Sequence, residues 1–171
     1  MATGPQDDAV LTYLATPAEG CGEVPVSTRP QRLRLGSLTP RDFERLCHRL
    51  ARVQATVEDV RIIGVPGQFQ DGIELYARRH DGTYVAIQCK RSSDAFPPGE
   101  ITAAVDKFLV GEWAGTAKEF VLAVTADLEP TQTSNRIRTE KERLAKKGIR
   151  FKPWDEAELS ALYYAKTGNS L

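Results

Sequence analysis

The chain has 171 residues, which is enough for one compact domain with a sizeable core. It carries 23 Lys and Arg against 23 Asp and Glu, so its formal net charge of zero leaves anion binding to local patches rather than to the whole surface. No apolar run reaches membrane-spanning length, and three cysteines without a CxxC spacing argue against a disulfide framework or zinc site and favour a reducing cytoplasm.

The first 36 residues mix Gly, Pro, Ser, Thr and charges without sustained periodicity, which predicts a flexible arm over 1–36 and a folded domain over 37–171. The domain opens with a helix, because Thr39 is a good N-cap and Pro40 suits the first helical position. Glu44 lies beside the apolar stripe of this helix, near its buried edge.

The rest of the chain alternates strand and helix patterns. A strand over "VEDVRIIG" precedes the hairpin "DGIELYARRHDGTYVAIQCKR", and a helix follows over about 98–110. The apolar run "EFVLAVTA" predicts a central strand, and the segment from Thr131 predicts a long helix that stops at Gly148. With a short strand over "IRFKPW" and a last helix from Asp155, the order is αβββαβαβα. This order predicts an α/β sandwich with a mixed central sheet flanked by helices.

The hairpin pairing can be worked out if Asp81-Gly82 forms a two-residue turn, for which this dipeptide is the strongest short signal. Ile73 then lies opposite Lys90, and Leu75 lies opposite Gln88. A three-residue loop would break this parity, so the pairing depends on the turn.

Three polar groups meet at the open end of the hairpin under this pairing. Asp71, Ile73 and Leu75 share a face with Gln88 and Lys90, whereas Cys89 points into the core as a small apolar filler. Carboxylate and amide oxygens suit a hard cation such as Mg²⁺, and a lysine beside it can orient water or offset charge on a phosphate. Glu44 can add a second carboxylate if the first helix packs over this end.

Each of these residues also has an ordinary structural explanation. An acid near a strand start is usually a turn or capping residue, and a strand lysine usually lies at an edge. The combination is more specific, because Gln88 and Lys90 interrupt a run that is otherwise fit for burial, and buried polar groups need partners.

These motifs resemble the PD-(D/E)xK nuclease superfamily and, within it, the Mrr-like restriction endonuclease branch. That branch shows an "FE" pair on the first helix, a "DGGIDL"-like strand start and "QCKR" on the next strand. They stand here as Phe43-Glu44, Asp71–Leu75 and Gln88–Arg91, within a resemblance that covers roughly residues 37–165. The chain departs from the pattern where Gly72 alone replaces a glycine doublet and Glu74 replaces an aspartate.

The resemblance implies a Mg²⁺-dependent phosphodiesterase acting on DNA, with Mn²⁺ able to substitute. Asp71 would bind the metal directly, with the Gln88 side-chain oxygen, the Cys89 backbone carbonyl and Glu44 as further ligands. Lys90 would position the attacking water and stabilise the transition state. The family implies restriction or anti-phage defence, sensor or ATPase modules as partners, and a possible homo-oligomer that cuts both strands.

DNA contacts are expected next to the site and on one basic helix. Arg91 and Ser92 follow Lys90 directly and are well placed for a phosphate of the cleaved strand. The segment from Thr131 to Lys152 carries eight Lys and Arg against two Glu, and Arg136 and Arg138 lie near its start. A solvated surface helix is the competing explanation for this charge.

Two other functions remain open at the level of sequence. The chain could be a non-catalytic DNA-binding or scaffold module of the same fold, which the intact set of Glu44, Asp71, Gln88 and Lys90 disfavours. It could also be a nuclease acting on RNA or branched DNA, because the same catalytic residues serve those substrates.

Overall fold

The computed structural model describes residues 32–63, 72–92 and 95–167. These residues form an α/β fold whose element order matches the predicted one. The helices are α1 (Pro40–Arg52), α2 (Pro98–Val110), α3 (Thr131–Ala145) and α4 (Glu156–Thr167). The strands are β1 (Val57–Ile62), β2 (Leu75–Arg79), β3 (Tyr84–Lys90), β4 (Ala117–Val124) and β5 (Arg150–Trp154). Short 3₁₀ helices span Leu35–Ser37 and Glu112–Gly115.

The five strands form one mixed sheet in the order β1-β2-β3-β4-β5. The first three strands are antiparallel neighbours, whereas β3, β4 and β5 run parallel to one another. Parallel strands finish at the same edge of a sheet, so β3, β4 and β5 end together at what we call the open end. The opposite edge holds the loop between β2 and β3, and we call it the turn end.

Both faces of the sheet are covered, which explains why the central strands are almost continuously apolar. One hydrophobic cluster packs α2 and α3 against the sheet and includes Phe108, Phe120 and Leu144. The other packs α1 and α4 against the opposite face and includes Phe43 and Leu159. Any polar side chain on β3 is therefore held between two apolar layers.

The start of α1 forms as the sequence predicts. Thr39 is the N-cap, its Oγ1 accepts a hydrogen bond from the Asp42 amide at 3.2 Å, and Pro40 occupies the first turn. Phe43 and Cys47 lie on the buried side of the helix. This packing fixes the rotation of α1 and places the half-buried Glu44 at the margin of the core.

The hairpin loop has three residues between the hydrogen-bonded Arg79 and Thr83, so the predicted two-residue turn is wrong. The Arg79 amide donates to the Thr83 carbonyl at 2.9 Å, and Gly82 adopts a left-handed φ of 83°. The Asp81 carboxylate accepts hydrogen bonds from the Thr83 amide at 2.9 Å and hydroxyl at 2.7 Å. This side-chain capture stabilises a loop in which only the last residue needs the left-handed conformation.

The extra loop residue shifts the hairpin pairing by one position. Leu75 lies opposite Ile87, and the ladder ends at that pair, so the predicted pairs Leu75–Gln88 and Ile73–Lys90 do not form. Ile73 packs in the cluster with α2 and α3, whereas Leu75 packs in the cluster with α1 and α4. The prediction that these two residues share a face is therefore wrong.

Residues 32–38, which we call the strap, pack against the domain rather than extending from it. Leu35 is buried, and the Leu33 amide donates to Ser160 Oγ at 3.0 Å. Residues 1–31 of the predicted arm lie outside the described residues. No helix in the described parts of the chain is both long and apolar enough to cross a bilayer.

Candidate active site

Gln88 and Lys90 lie on β3 at the open end, on the face covered by α2 and α3. They share this face because side chains alternate along a strand and Ala86 belongs to the α2–α3 cluster. Gln88 is only 2% exposed, and its Oε1 has no hydrogen-bond partner. Most buried polar atoms are paired, so an unpaired amide oxygen beside Lys90 is an acceptor with unused capacity.

Glu74 is the acid that the structure brings to this pair. It directly precedes β2, and its Oε2 accepts a hydrogen bond from the Cys89 amide at 2.7 Å. Burial, together with the negative charge of Glu44, raises the pKa of Glu74 to about 7 against the opposing effect of the Cys89 amide. A carboxyl with this pKa is poised to change its charge near neutrality or to bind a cation.

Glu44 and Lys90 surround Glu74 from different elements. Glu44 reaches it from α1, and its charge disfavours ionisation of Glu74, whereas the Lys90 ammonium lowers the pKa of Glu74. Two carboxyl groups and one ammonium group thus lie within electrostatic reach at the mouth of the hairpin. The two carboxylates repel each other when both are ionised, and the net raised pKa of Glu74 shows that Lys90 does not offset burial and this repulsion.

The residue expected to lead this site, Asp71, lies outside the described residues, so its place remains a prediction. Its neighbour Gly72 has a left-handed φ of 74°. A Cβ on Gly72 would lie 2.7 Å from Gln88 Nε2 and 2.8 Å from Lys107 Cδ. Gly72 therefore allows the chain entering β2 to pass directly against the Gln88 amide.

The two residues after Lys90 make hydrogen bonds with other parts of the chain. Arg91 is exposed, and its Nη2 donates to the Gly36 carbonyl in the strap at 3.0 Å. The Ser92 amide donates to Thr125 Oγ1 at 2.8 Å, and the same hydroxyl donates back to the Ser92 carbonyl at 2.8 Å. These bonds fix the backbone just past Lys90, and Arg91 would have to exchange its carbonyl partner to bind a phosphate.

The basic helix is divided between the two ends of the sheet. Because α3 follows β4 and leads into the parallel strand β5, it runs from the open end to the turn end over about 22 Å. Arg136 and Arg138 lie in its exposed first half, towards the open end. Lys146 and Lys147 lie beyond its last turn, so they do not adjoin the candidate site.

Cys89 behaves as the core filler that the sequence predicts. Its side chain packs with the α1–α4 cluster, opposite to Gln88 and Lys90. Hydrogen bonding with the Cys47 thiol and burial raise the pKa of Cys89 well above its ordinary value. A nucleophilic cysteine needs a lowered pKa, so this thiol is not a candidate nucleophile.

The donor atoms at the open end fit a hard divalent cation. Within the described ranges, no three His, Cys, Asp or Glu side chains could hold a metal ion by themselves. The amide oxygen of Gln88 and the carboxylates of Glu44 and Glu74 are all oxygen donors of the kind that Mg²⁺ prefers. The unpaired state of Gln88 Oε1 is the observation that favours this fit.

Sequence reasoning named Glu74 only as a departure from a pattern and did not place it in the site. The signal was present, since an acid stands three residues after Asp71 in a strand start that is otherwise apolar. Its position could not be derived, because the wrong hairpin pairing assigned the neighbouring Leu75 to the wrong face of the sheet.

Comparison with known proteins identifies relatives of this fold. Residues 35–130, more than half of the chain, match the model of a family described as "Restriction endonuclease". Among solved structures, the chain is similar to the "ATP-dependent Type ISP restriction-modification enzyme LlaBIII bound to DNA", with 22% identity and a TM-score of 0.43. That match covers 65% of this chain but 7% of the other, so this chain spans a small part of that enzyme. No curated protein matches the chain.

Proposed function

We propose that this chain, which belongs to the restriction endonuclease family, is a Mg²⁺-dependent endodeoxyribonuclease whose active site lies at the open end of its sheet. The observation that carries the proposal is the buried, unpaired Gln88 Oε1, two residues before Lys90 on the same face of β3. Gln88 Oε1 has no partner and Glu74 has a raised pKa, and a bound cation would supply a partner for the first and favour ionisation of the second.

The proposed metal ligands are oxygen atoms from three parts of the chain, which are α1, the segment before β2, and β3. Asp71, Gln88 Oε1, the Cys89 carbonyl and Glu44 follow from the family pattern, and Glu74 joins them because of its position and raised pKa. Mg²⁺ held here, or Mn²⁺ in its place, would lower the pKa of a bound water and offset negative charge on the phosphate.

Lys90 and the neighbouring basic residues have separate roles in the proposal. Lys90 holds the attacking water and donates to phosphate oxygens as negative charge develops on them. Arg91 and Ser92 contact the phosphate next to the cleaved bond, and Arg136 and Arg138 contact the duplex backbone farther along. These phosphate contacts give affinity without reading base sequence.

In the cell, such a domain would cut foreign DNA in the cytoplasm, as restriction or anti-phage defence. Each chain carries one candidate site, so a double-strand break requires two copies or two successive cuts. A sensor or ATPase module would decide when the cut is made, and we propose that this chain works with such a partner.

Plasmid cleavage tests the proposal. Wild-type protein with Mg²⁺ or Mn²⁺ should nick or linearise supercoiled DNA, and EDTA should stop it. Asp71→Ala and Lys90→Ala should lose the activity, whereas Lys118→Ala should keep it. Lys118 is the matched control because it is an exposed strand lysine on β4 near the turn end.

Two results would count against the assignment. Equal cleavage by wild type and both site variants would mean that the activity belongs elsewhere or to a contaminant. Metal binding with DNA binding but no cleavage, on duplex, branched DNA and RNA alike, would favour a non-catalytic module.

A further inference from the structure

An apolar groove lies on the outer side of α1, away from the candidate active site. It has a volume of about 470 Å³ and is bordered by the strap, α1 and α4. Leu33 and Leu38 of the strap and Leu46 of α1 line it, and each of these side chains is only half-buried. Tyr163 of α4, which is 36% exposed, forms part of the opposite wall.

The rim of this groove is positively charged. Arg34, Arg45 and Arg49 line it, with Asp42 as the one acid among the lining residues. Asp42 already pairs with Arg45 at 3.3 Å. Arg34 and Arg49 are exposed, and no carboxylate pairs with either of them within the described part of the chain. The groove therefore presents two uncompensated cations beside an apolar floor.

The elements around the groove decide what shape of ligand it takes. Two helices and the strap form its walls, so it offers no sheet edge to which an extended peptide could add as a strand. An amphipathic helix instead places apolar side chains at positions i, i+3, i+4 and i+7 into a groove of this kind. The apolar floor also disfavours nucleic acid, whose backbone presents charged phosphates.

We propose that this groove binds an acidic amphipathic helix of a partner polypeptide. Apolar side chains of that helix would pack on Leu33, Leu38 and Leu46, and its flanking carboxylates would face Arg34 and Arg49. The inference goes beyond the nuclease function and does not depend on it, because no group of the candidate active site lines the groove.

The strap connects this groove to the open end of the sheet. Its Gly36 carbonyl accepts the hydrogen bond from Arg91, and its Arg32 pairs with Asp127 at 3.3 Å and Glu156 at 3.5 Å. A helix packed on Leu33 and Leu38 would therefore contact the segment that holds Arg91. Partner binding at the groove would in this way influence a residue next to Lys90.

The test uses two synthetic helices of about 18 residues, or five turns, labelled with fluorescein. The first carries leucines at helical spacing flanked by glutamates, and the second has every glutamate replaced by lysine. Fluorescence anisotropy with the full chain should show the acidic helix binding at least about tenfold more tightly than the basic one. The difference should shrink as salt concentration rises, because the charges are exposed.

The variant pair Arg34→Glu with Arg49→Glu sharpens this test. It should weaken binding of the acidic helix by at least about tenfold and improve binding of the basic helix. Lys146→Glu with Lys147→Glu, two exposed reversals that change the net charge by the same amount on another surface, should change neither. Equal binding of both helices, or an unchanged affinity in the double variant, would overturn the proposal.

Sedimentation velocity tests the alternative that a second copy of this chain occupies the groove. If the chain alone forms a concentration-dependent dimer that Arg34→Glu with Arg49→Glu disrupts, the groove binds a second copy and the acidic-helix proposal fails. Plasmid cleavage plays no part in these measurements, so their failure and the failure of the nuclease proposal are separate results.

Discussion

The two ends of the central sheet differ in whether their buried polar groups have partners within the chain. At the turn end, Glu119 is 6% exposed and pairs with Arg79 at 2.9 Å and with Arg150 at 3.9 Å. At the open end, Gln88 is 2% exposed with an unpaired Oε1, and Glu74 lies near a second carboxylate. The turn end pairs its buried charge within the chain, whereas at the open end the proposed ligand would supply a partner for the Gln88 oxygen.

This difference distinguishes groups that stabilise the fold from groups with a proposed role in catalysis. Removing a buried acid that lies between two arginines destabilises the protein, because the arginines are left without a partner. An acid whose pKa is raised by burial and by a neighbouring carboxylate destabilises the fold when it ionises. Substitutions at the two ends should therefore have opposite effects on stability and activity.

The largest effect is expected on cleavage when the buried glutamate at each end is neutralised. Glu74→Gln should lower the plasmid cleavage rate by about a hundredfold, because a charged ligand of the proposed metal site is lost. Glu119→Gln should leave the rate of the folded protein unchanged, because it lies at the turn end. A similar loss of cleavage in both variants would contradict the proposed difference between the two ends.

The next effect is the dependence of stability on pH in the metal-free protein. The folded-state pKa of Glu74, about 7, lies above its ordinary value of 4.5, so between these values the folded state binds more protons than the unfolded state. The unfolding free energy should therefore be highest below the ordinary pKa and should fall as pH rises through the folded-state pKa, by about 3 kcal/mol from this group.

Urea unfolding of wild type and Glu74→Gln in EDTA, across this pH window, isolates that contribution. The difference in unfolding free energy should grow in favour of the variant as pH rises, because glutamine does not ionise. A constant difference between the two proteins would show that Glu74 has an ordinary pKa and is not buried beside Glu44.

A smaller loss of stability is expected at the turn end. Glu119→Gln should lower the unfolding free energy by about 2 kcal/mol at neutral pH, because Arg79 and Arg150 lose their shared acceptor. The Arg79 side chain is 22% exposed, so water offsets part of the loss. Denaturant unfolding measures it, and a neutral outcome would mean that this ion pair does not stabilise the fold.

The smallest effect is a gain in stability at the open end. Gln88→Met keeps the side-chain length and removes the unpaired oxygen, so the metal-free protein should gain up to about 1 kcal/mol. The same variant should lose cleavage. Unfolding in EDTA checks the first expectation, and a clear loss of stability would show that Gln88 has a structural partner.

Element order and the beginning of α1 follow from local signals, and the sequence therefore predicts them well. Thr39 and Pro40 fix the first turn of α1, and the apolar runs define the parallel strands. The hairpin pairing is different, because Asp81 can serve a two-residue turn or capture the Thr83 amide in a longer loop. That choice depends on which side chains the rest of the fold buries.

The candidate site follows the same division between local and distant signals. Gln88 and Lys90 are placed on one face by strand alternation alone, whatever the hairpin pairing. Glu74 requires the correct pairing, and its raised pKa requires knowledge of α1 packing and of the Glu44 charge. Assigning Arg136 and Lys146 to different ends of the sheet requires the direction in which α3 runs across it. The sequence of charges does not give that direction.

Calorimetric titration of Mn²⁺ into the DNA-free protein tests most directly whether the open end is a metal site. Wild type should show saturable binding, Gln88→Met should bind at least about tenfold more weakly, and Glu119→Gln should match wild type. Equal binding by wild type and Gln88→Met, or no saturable binding by wild type, would contradict the account.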